Sequence, residues 1–173
     1  MTTRKGDWFQ TYTGIQFYAY DPRPEEVCIE DIAHHLALQC RYNGACREFY
    51  SVAQHSVHVS RVVSPVNALW GLLHDAAEAY LGDLIRPVKL GMPQYREVEA
   101  LVMEAVCARF GLCSPEPSDI KRADKLLLYT ERRDLLLVQR QWSENIKPLV
   151  CKIVPLGPVQ AEQEFLAQFR RVK

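Results

Sequence analysis

After Asp21-Pro-Arg-Pro24 the spacing of apolar residues changes from two to about 3.6, and it keeps that period through the clearest segments of the remaining chain. A chain of this pattern must bury helix faces against one another, so the expected fold is all-α, a helical bundle with a short N-terminal β-hairpin. The hairpin is predicted within residues 8 to 20. There, aromatic and β-branched residues flank Thr13-Gly14, and Ile15, Phe17 and Ala19 alternate with Gln16, Tyr18 and Tyr20.

The helical stripes can be followed one by one. Ile29, Ile32, Ala33, Leu36, Ala37 and Cys40 line one face of a first helix that stops before Asn43-Gly44. Ser51-Val-Ala-Gln54 has the form of a capping box and opens a second helix, with the Gln54 side chain expected to reach back to the cap. Ser64-Pro65 opens a third, with Val66, Leu69, Trp70, Leu73, Ala77 and Leu81 inward and Gly82 as its stop. Arg86-Pro87 and Met92-Pro93 bracket a loop. Val98, Leu101, Val102, Ala105 and Val106 define a fourth helix closed by Gly111. A fifth opens at Ser118 and is expected to run to about Gln141, and a last one runs from Pro158 to about 172, burying Phe165, Leu166 and Phe169. The 173 residues are expected to form one domain with its core at about 29–135, an N-terminal segment at 1–24 and the C-terminal helix at 158–172.

Charge and cysteine usage narrow the function classes. Lys and Arg total 21 against 21 Asp and Glu, without the basic excess of a protein that grips a nucleic-acid backbone along its length. Arg132-Arg133 and the Arg170-Arg171-Val-Lys173 tail read as solvated faces, so no nucleic-acid partner is expected. The longest apolar stretches fall far below the roughly 20 residues that span a bilayer, and no signal-peptide pattern follows Met1, so a cytoplasmic protein without membrane contact is expected. The six cysteines form no Cys-x-x-Cys pair and fall mostly in apolar helical phases, which predicts reduced, buried thiols.

Polar residues on the apolar faces carry the functional signal, because burying one without a partner costs about 1 to 3 kcal/mol. His55 sits in the stripe of Val52, Val59 and Val62. His74 follows Trp70 by four residues, with Asp75 next to it. Asp124 lies four after Ile120 and three before Leu127. Each has a plain alternative: an inward His is usually a hydrogen-bonded core residue, and Asp124 can pair with Arg122 or Lys125 if its helix is rotated. Together, two imidazoles and two carboxylates on the inward faces of three helices satisfy one another's burial around a divalent cation. Two nitrogen and two oxygen donors suit a first-row metal with open positions, which is a catalytic arrangement. His58, one turn after His55, can approach the site, but one metal is favoured.

Glu78, four after His74 and three after Asp75, shares their helix face and can take a proton from a metal-activated water; its alternative is a solvated helix residue. Asp83, just after Gly82, puts another carboxylate at the rim. Arg41 offers a planar fork for a phosphate, or else complements the end of the first helix. Arg86 and Lys89, in the loop after Asp83, either hold the outer phosphates of a substrate or are solvated.

The set His55, His74-Asp75 with Glu78 and Asp83, and Asp124 within Arg122-Ala-Asp-Lys-Leu126 resembles the HD superfamily of metal-dependent phosphohydrolases. The phrases Phe49-Tyr-Ser-Val-Ala-Gln-His-Ser56 and His74-Asp-Ala-Ala-Glu78 carry most of the likeness, which spans roughly residues 29 to 135 and is greatest to bacterial 5′-deoxynucleotidases and small phage and prophage HD hydrolases. The resemblance implies an HD-domain helical bundle in which His55, His74, Asp75 and Asp124 bind a divalent metal. It also implies that Glu78 activates water, that Asp83 assists near the leaving group or sugar, and that Arg41-Tyr42 contacts phosphate and nucleoside. Tyr42 stands where that family carries Trp. The implied reaction is attack of activated water on the 5′-phosphate of a (deoxy)nucleotide, with release of phosphate from a monophosphate or of tripolyphosphate from a triphosphate. A homo-oligomer is also implied. A non-catalytic metal- or nucleotide-binding module is the competing class, and Glu78 and Asp83 argue against it because structural ligation needs neither.

Overall fold

The computed structural model describes residues 4–142 and 144–173. Two two-residue strands, β1 (Phe9–Gln10) and β2 (Gln16–Phe17), pair antiparallel with Phe9 opposite Phe17, so the hairpin closes over Thr13-Gly14 as the alternation predicts. Its tip is tied to the first helix, α1 (Ile29–Leu38). The Thr13 amide and hydroxyl donate to the buried Asp31 carboxylate at 2.7 and 2.9 Å, and the Tyr12 amide donates to His35 Nε2 at 3.1 Å. Phe17, fully buried, stacks on Tyr80 with ring centres 4.0 Å apart. Replacing Asp31 with Ala is expected to cost about 1–3 kcal/mol, the penalty for orphaning these donors. It is also expected to speed amide exchange at Thr13; unchanged exchange there would mean that the tip is held by the aromatic contacts alone.

Helix α2 (Val52–Val62) begins as the capping signal predicts, with Ser51 Oγ accepting from the Gln54 amide at 3.1 Å. The Gln54 side chain does not reach back. It donates to the Val154 carbonyl and accepts from the Leu156 amide, because that segment offers a donor and an acceptor together. Helix α3 (Ala68–Leu73) crosses α2 at Gly71, where a Cβ would lie 3.0 Å from both Ser60 Cα and Val63 Cγ2. Only the absence of a side chain permits that approach.

The expected continuous third helix is instead interrupted. A 3-10 turn, Pro65–Asn67, precedes α3, and residues 74–77 are wound tightly between α3 and α4 (Glu78–Leu81), with the Ala76 and Glu78 amides bonding three residues back to Leu73 and Asp75. Gly82, at φ +87, then ends α4 where the sequence places the stop.

The segment expected as a loop contains a short helix, α5 (Arg86–Leu90), which tolerates Pro87 because a first-turn residue needs no amide donor. Helix α6 (Pro93–Phe110) ends at the left-handed Gly111 as expected and buries Val98, Val102, Ala105 and Val106, but Leu101, expected on the same face, is exposed. Helix α7 (Ser118–Leu135) stops six residues short of Gln141. Leu136 is extended and bridges to Cys46, and the Arg47 amide donates to the Leu135 carbonyl, so pairing with a distant strand-like segment ends the helix. The C-terminal helix is α8 (Pro158–Val172).

One buried cluster joins α1, α2, α3, α4, α6 and α8 with Phe17; a second, built on Tyr50, Trp70, Ile120 and Leu127, joins α2 and α3 to α7. Helix α2 serves both. The cysteines are free thiols as expected, yet none is buried: Cys40 lies past the end of α1 and Cys113 past α6, outside the helical faces that would cover them. Among the described residues, no helix is long and apolar enough to cross a membrane.

Candidate metal centre

His55 projects from the buried face of α2, His74 and Asp75 from the tight turn after α3, and Asp124 from α7. Ligand atoms of His55, His74 and Asp124 lie within 4.8 Å of one another. His55 Nε2 is 3.2 Å from Asp124 Oδ1 and 3.8 Å from Asp75 Oδ2, and His74 Nε2 is 3.1 Å from the same Asp75 oxygen. The alternative of a surface pair between Asp124 and Arg122 or Lys125 is not taken up: Lys125 binds Glu144 instead.

Both imidazoles are oriented through the other ring nitrogen. His74 Nδ1 donates to the Gly71 carbonyl at 2.9 Å, and His55 Nδ1 donates to Glu131 Oε1 at 2.6 Å. A carbonyl and a carboxylate only accept, so each Nδ1 carries the proton. The two Nε2 atoms are buried, make no hydrogen bond and face carboxylate oxygens. Ring nitrogens and carboxylate oxygens converging in this way fit a cation, which would take the place of ring protons on Nε2, and the outer hydrogen bonds are those that orient metal-ligating histidines.

Electrostatics bind the cluster together. Burial alone would raise the Asp75 carboxyl, but His74 outweighs it and holds Asp75 well below the usual carboxylate range. Burial likewise opposes charge on Asp124, and the neighbouring His55, 3.2 Å away, reverses that effect. Glu78 shows the opposite balance. Burial, followed by the nearby Asp75 and Asp83 charges, pushes it well above its ordinary value. One Glu78 oxygen accepts from Lys89 Nζ at 3.3 Å; the other, Oε2, is buried without a partner. Asp83 is also raised, first by burial and against the influence of Arg41.

Arg41 opens a 3-10 turn, Arg41–Gly44, in which Tyr42 and Asn43 adopt left-handed φ values of 56° and 51°. That reversal folds Arg41 inward, where it meets Asp75 at 3.5 Å, Asp124 at 3.8 Å and Glu131 at 3.3 Å. The Tyr42 hydroxyl donates to Glu131. Lys89 is held between Glu78 and Glu99, while Arg86 lines the adjoining cleft and forms no ion pair among the described residues. That cleft, of about 1360 Å³, runs from His74, Asp75, Glu78 and Asp124 past α6 to Tyr129 and Trp142.

No family model matches the sequence. Over 166 residues, 94% of this chain and 93% of the relative, it is 33% identical to the Escherichia coli K12 protein described as uncharacterized protein YfdR. The chain belongs to the YfdR family. It is also 40% identical to an uncharacterized Rhodobacter capsulatus protein over 131 residues, 70% of this chain and 67% of that one.

Two members of the site in this YfdR-family chain, Glu131 and Gln39, escape a reading of single helices, and Lys89 meets a carboxylate instead of the outer phosphates expected for it. Glu131, fully buried, collects four donors; burial would raise it, but Arg41 and His55 hold it at about 2. Its signal is present in the sequence, since it follows Asp124 by seven residues and so shares its helix face. Gln39 donates to the Glu78 carbonyl at 2.9 Å and accepts from the Asp83 amide at 3.1 Å, clamping the turn between the two carboxylates; nothing local marks it. Lys89 turns from a loop cation into the partner of Glu78 because α5 folds back over the site. His34 and His35 are used elsewhere, on Glu162 and the Ala79 carbonyl.

Proposed function

We propose that this protein is an HD-type metal-dependent phosphohydrolase that releases phosphate from a 5′-deoxynucleotide. The observation that carries the reading is the pair of buried, unbonded imidazole Nε2 atoms facing Asp75 and Asp124 beside a buried Glu78 at one end of a large cleft. His55, His74, Asp75 and Asp124 would hold the cation. When bound, it supplies Lewis-acid polarisation of a phosphoryl oxygen and lowers the pKa of water.

The protein's own groups do the rest. Glu78 Oε2 accepts the proton of the attacking water, helped by the raised proton affinity that burial confers. Lys89 and the Gln39 clamp keep that carboxylate in place. Arg41 sits at 3.5 and 3.8 Å from Asp75 and Asp124, too far for firm hydrogen bonds, and its fork turns to the phosphoryl oxygens. Asp83 would assist on the side of the leaving group or sugar. The engagement of Lys89 with Glu78 and Glu99 favours a monophosphate, since it is not free to hold outer phosphates. The cleft exceeds the roughly 300–1,000 Å³ of a typical small-molecule site and includes Arg86, which keeps a triphosphate as the second reading.

Product analysis over the common deoxynucleoside mono- and triphosphates with manganese or cobalt tests the assignment. Inorganic phosphate from a monophosphate is expected. Tripolyphosphate would select the second reading, and neither product would overturn both.

Cation binding has a consequence of its own. At a metal concentration about a hundred times Kd, binding to the folded state adds about 2.7 kcal/mol of stability, so manganese or cobalt raises Tm. Asp124→Ala is expected to lose most of that shift; an equal shift in the variant would exclude Asp124 as a ligand.

A further inference from the structure

The buried Glu131 is not one of the four groups that face the site, yet its surroundings are more fully specified than theirs. Its Oε1 accepts from His55 Nδ1 at 2.6 Å and from the Tyr50 hydroxyl at 2.9 Å; its Oε2 accepts from Arg41 Nε at 3.3 Å and from the Tyr42 hydroxyl. A carboxylate offers about four lone-pair sites, and here each oxygen meets two donors. The carboxylate therefore cannot rotate without breaking several bonds at once. His55 is equally constrained, because α2 buries it completely and its Nδ1–H has this one acceptor. With that nitrogen committed, Nε2 is the only ring nitrogen free to meet Asp75 and Asp124.

We propose that Glu131 is the positioning residue of the metal centre, fixing the tautomer and rotation of His55 so that Nε2 is presented to the cation. The proposal rests on the metal-site reading above. It adds that the affinity of the site is set partly by a carboxylate that does not touch the metal, seven residues from Asp124 on the same helix. Two residues of α7 thus grip the His55 ring from opposite sides, Asp124 at Nε2 and Glu131 at Nδ1.

The test is a Co²⁺ titration followed by visible absorption, on wild type, Glu131→Gln and Tyr50→Phe. Wild type is expected to take up one Co²⁺. In Glu131→Gln the Kd weakens roughly 10–100-fold, the usual consequence of losing an outer partner of a ligating histidine, with the stoichiometry kept. Tyr50→Phe removes a donor to the same carboxylate but spares its bond to His55, so its Kd stays within about twofold of wild type. A Glu131→Gln Kd within about twofold of wild type, or equal weakening in both variants, would overturn the proposal. A second measurement does not depend on the variant folding. In the Zn²⁺-loaded wild type, long-range ¹H–¹⁵N correlation is expected to show His55 with a retained, slowly exchanging Nδ1–H; an Nδ1 without a proton would overturn the role. Wild type that binds neither Co²⁺ nor Zn²⁺ would instead sink the metal-site reading, and this proposal with it.

Discussion

Glu78→Gln is expected to lower turnover of a deoxynucleotide roughly 10²–10⁴-fold, the range for losing a general base, while one-to-one Co²⁺ uptake is retained. The amide keeps the shape of the side chain and still accepts from Lys89, but its nitrogen cannot take a proton from water. The same variant should be more stable than wild type when no metal is added. Burial, and after it Asp75 and Asp83, raises the Glu78 carboxyl well above its ordinary value. A carboxyl raised on folding contributes stability that is present below the ordinary carboxylate range and lost as pH climbs through the raised value, whereas Gln does not ionise. The gain in Tm should therefore grow as pH rises from the ordinary carboxylate range towards neutrality and above. Thermal melts over that range, with phosphate release measured in parallel, check both halves. Turnover within about tenfold of wild type would remove Glu78 from the chemistry.

Phe165→Ala is expected to cost about 3–5 kcal/mol, among the largest single effects available in this chain. Phe165 is fully buried in the cluster that joins α8 to α1, α2 and α3. For a protein of this size the loss corresponds to a fall in Tm of roughly 10 °C. Helix α8 also ties the back of α2 to the core: Gln168 donates to Ser60 Oγ at 2.9 Å, and Ser60 donates to the Ala68 carbonyl at 2.7 Å. Since α2 carries His55 on its buried surface, the C-terminal helix supports the site although none of its residues reaches it. A fall in Tm below about 3 °C would make α8 a peripheral addition to a bundle complete without it.

How far the site was legible depended on how each residue reaches it. His55 and Asp124 stand inside helices with clear apolar stripes, so spacing pointed both inward, with a surface pair to Arg122 or Lys125 left as the alternative for Asp124. His74, Asp75 and Glu78 were expected on one regular helix. His74 and Asp75 lie on a tightly wound turn instead and Glu78 opens α4, and bonding three residues back brings Asp75 and Glu78 close enough for their charges to interact. Arg41 was placed at the end of α1, but its aim depends on the left-handed turn at Tyr42 and Asn43. Glu131 was not singled out in the sequence; only its neighbours Arg132 and Arg133 were read, as a solvated face. Its spacing from Asp124 marked the correct face, whereas Arg133 turns to Asp134 and the Leu149 and Cys151 carbonyls.

The amino-acid order by itself determined which residues were candidates. Hydrophobic periodicity is a local property, and a polar residue that breaks a buried stripe is visible within two helical turns. It likewise determined the fold class and the hairpin, whose signals span a few residues each. Only the tertiary structure decided distances, tautomers and pairing, because these arise between groups far apart in the chain: His55 and Glu131 are 76 residues apart, Arg41 and Glu131 are 90 apart. Lys89 changed from a loop charge to the partner of Glu78 for the same reason, since the fold of α5 over the site is set by packing and not by the residues of α5 alone.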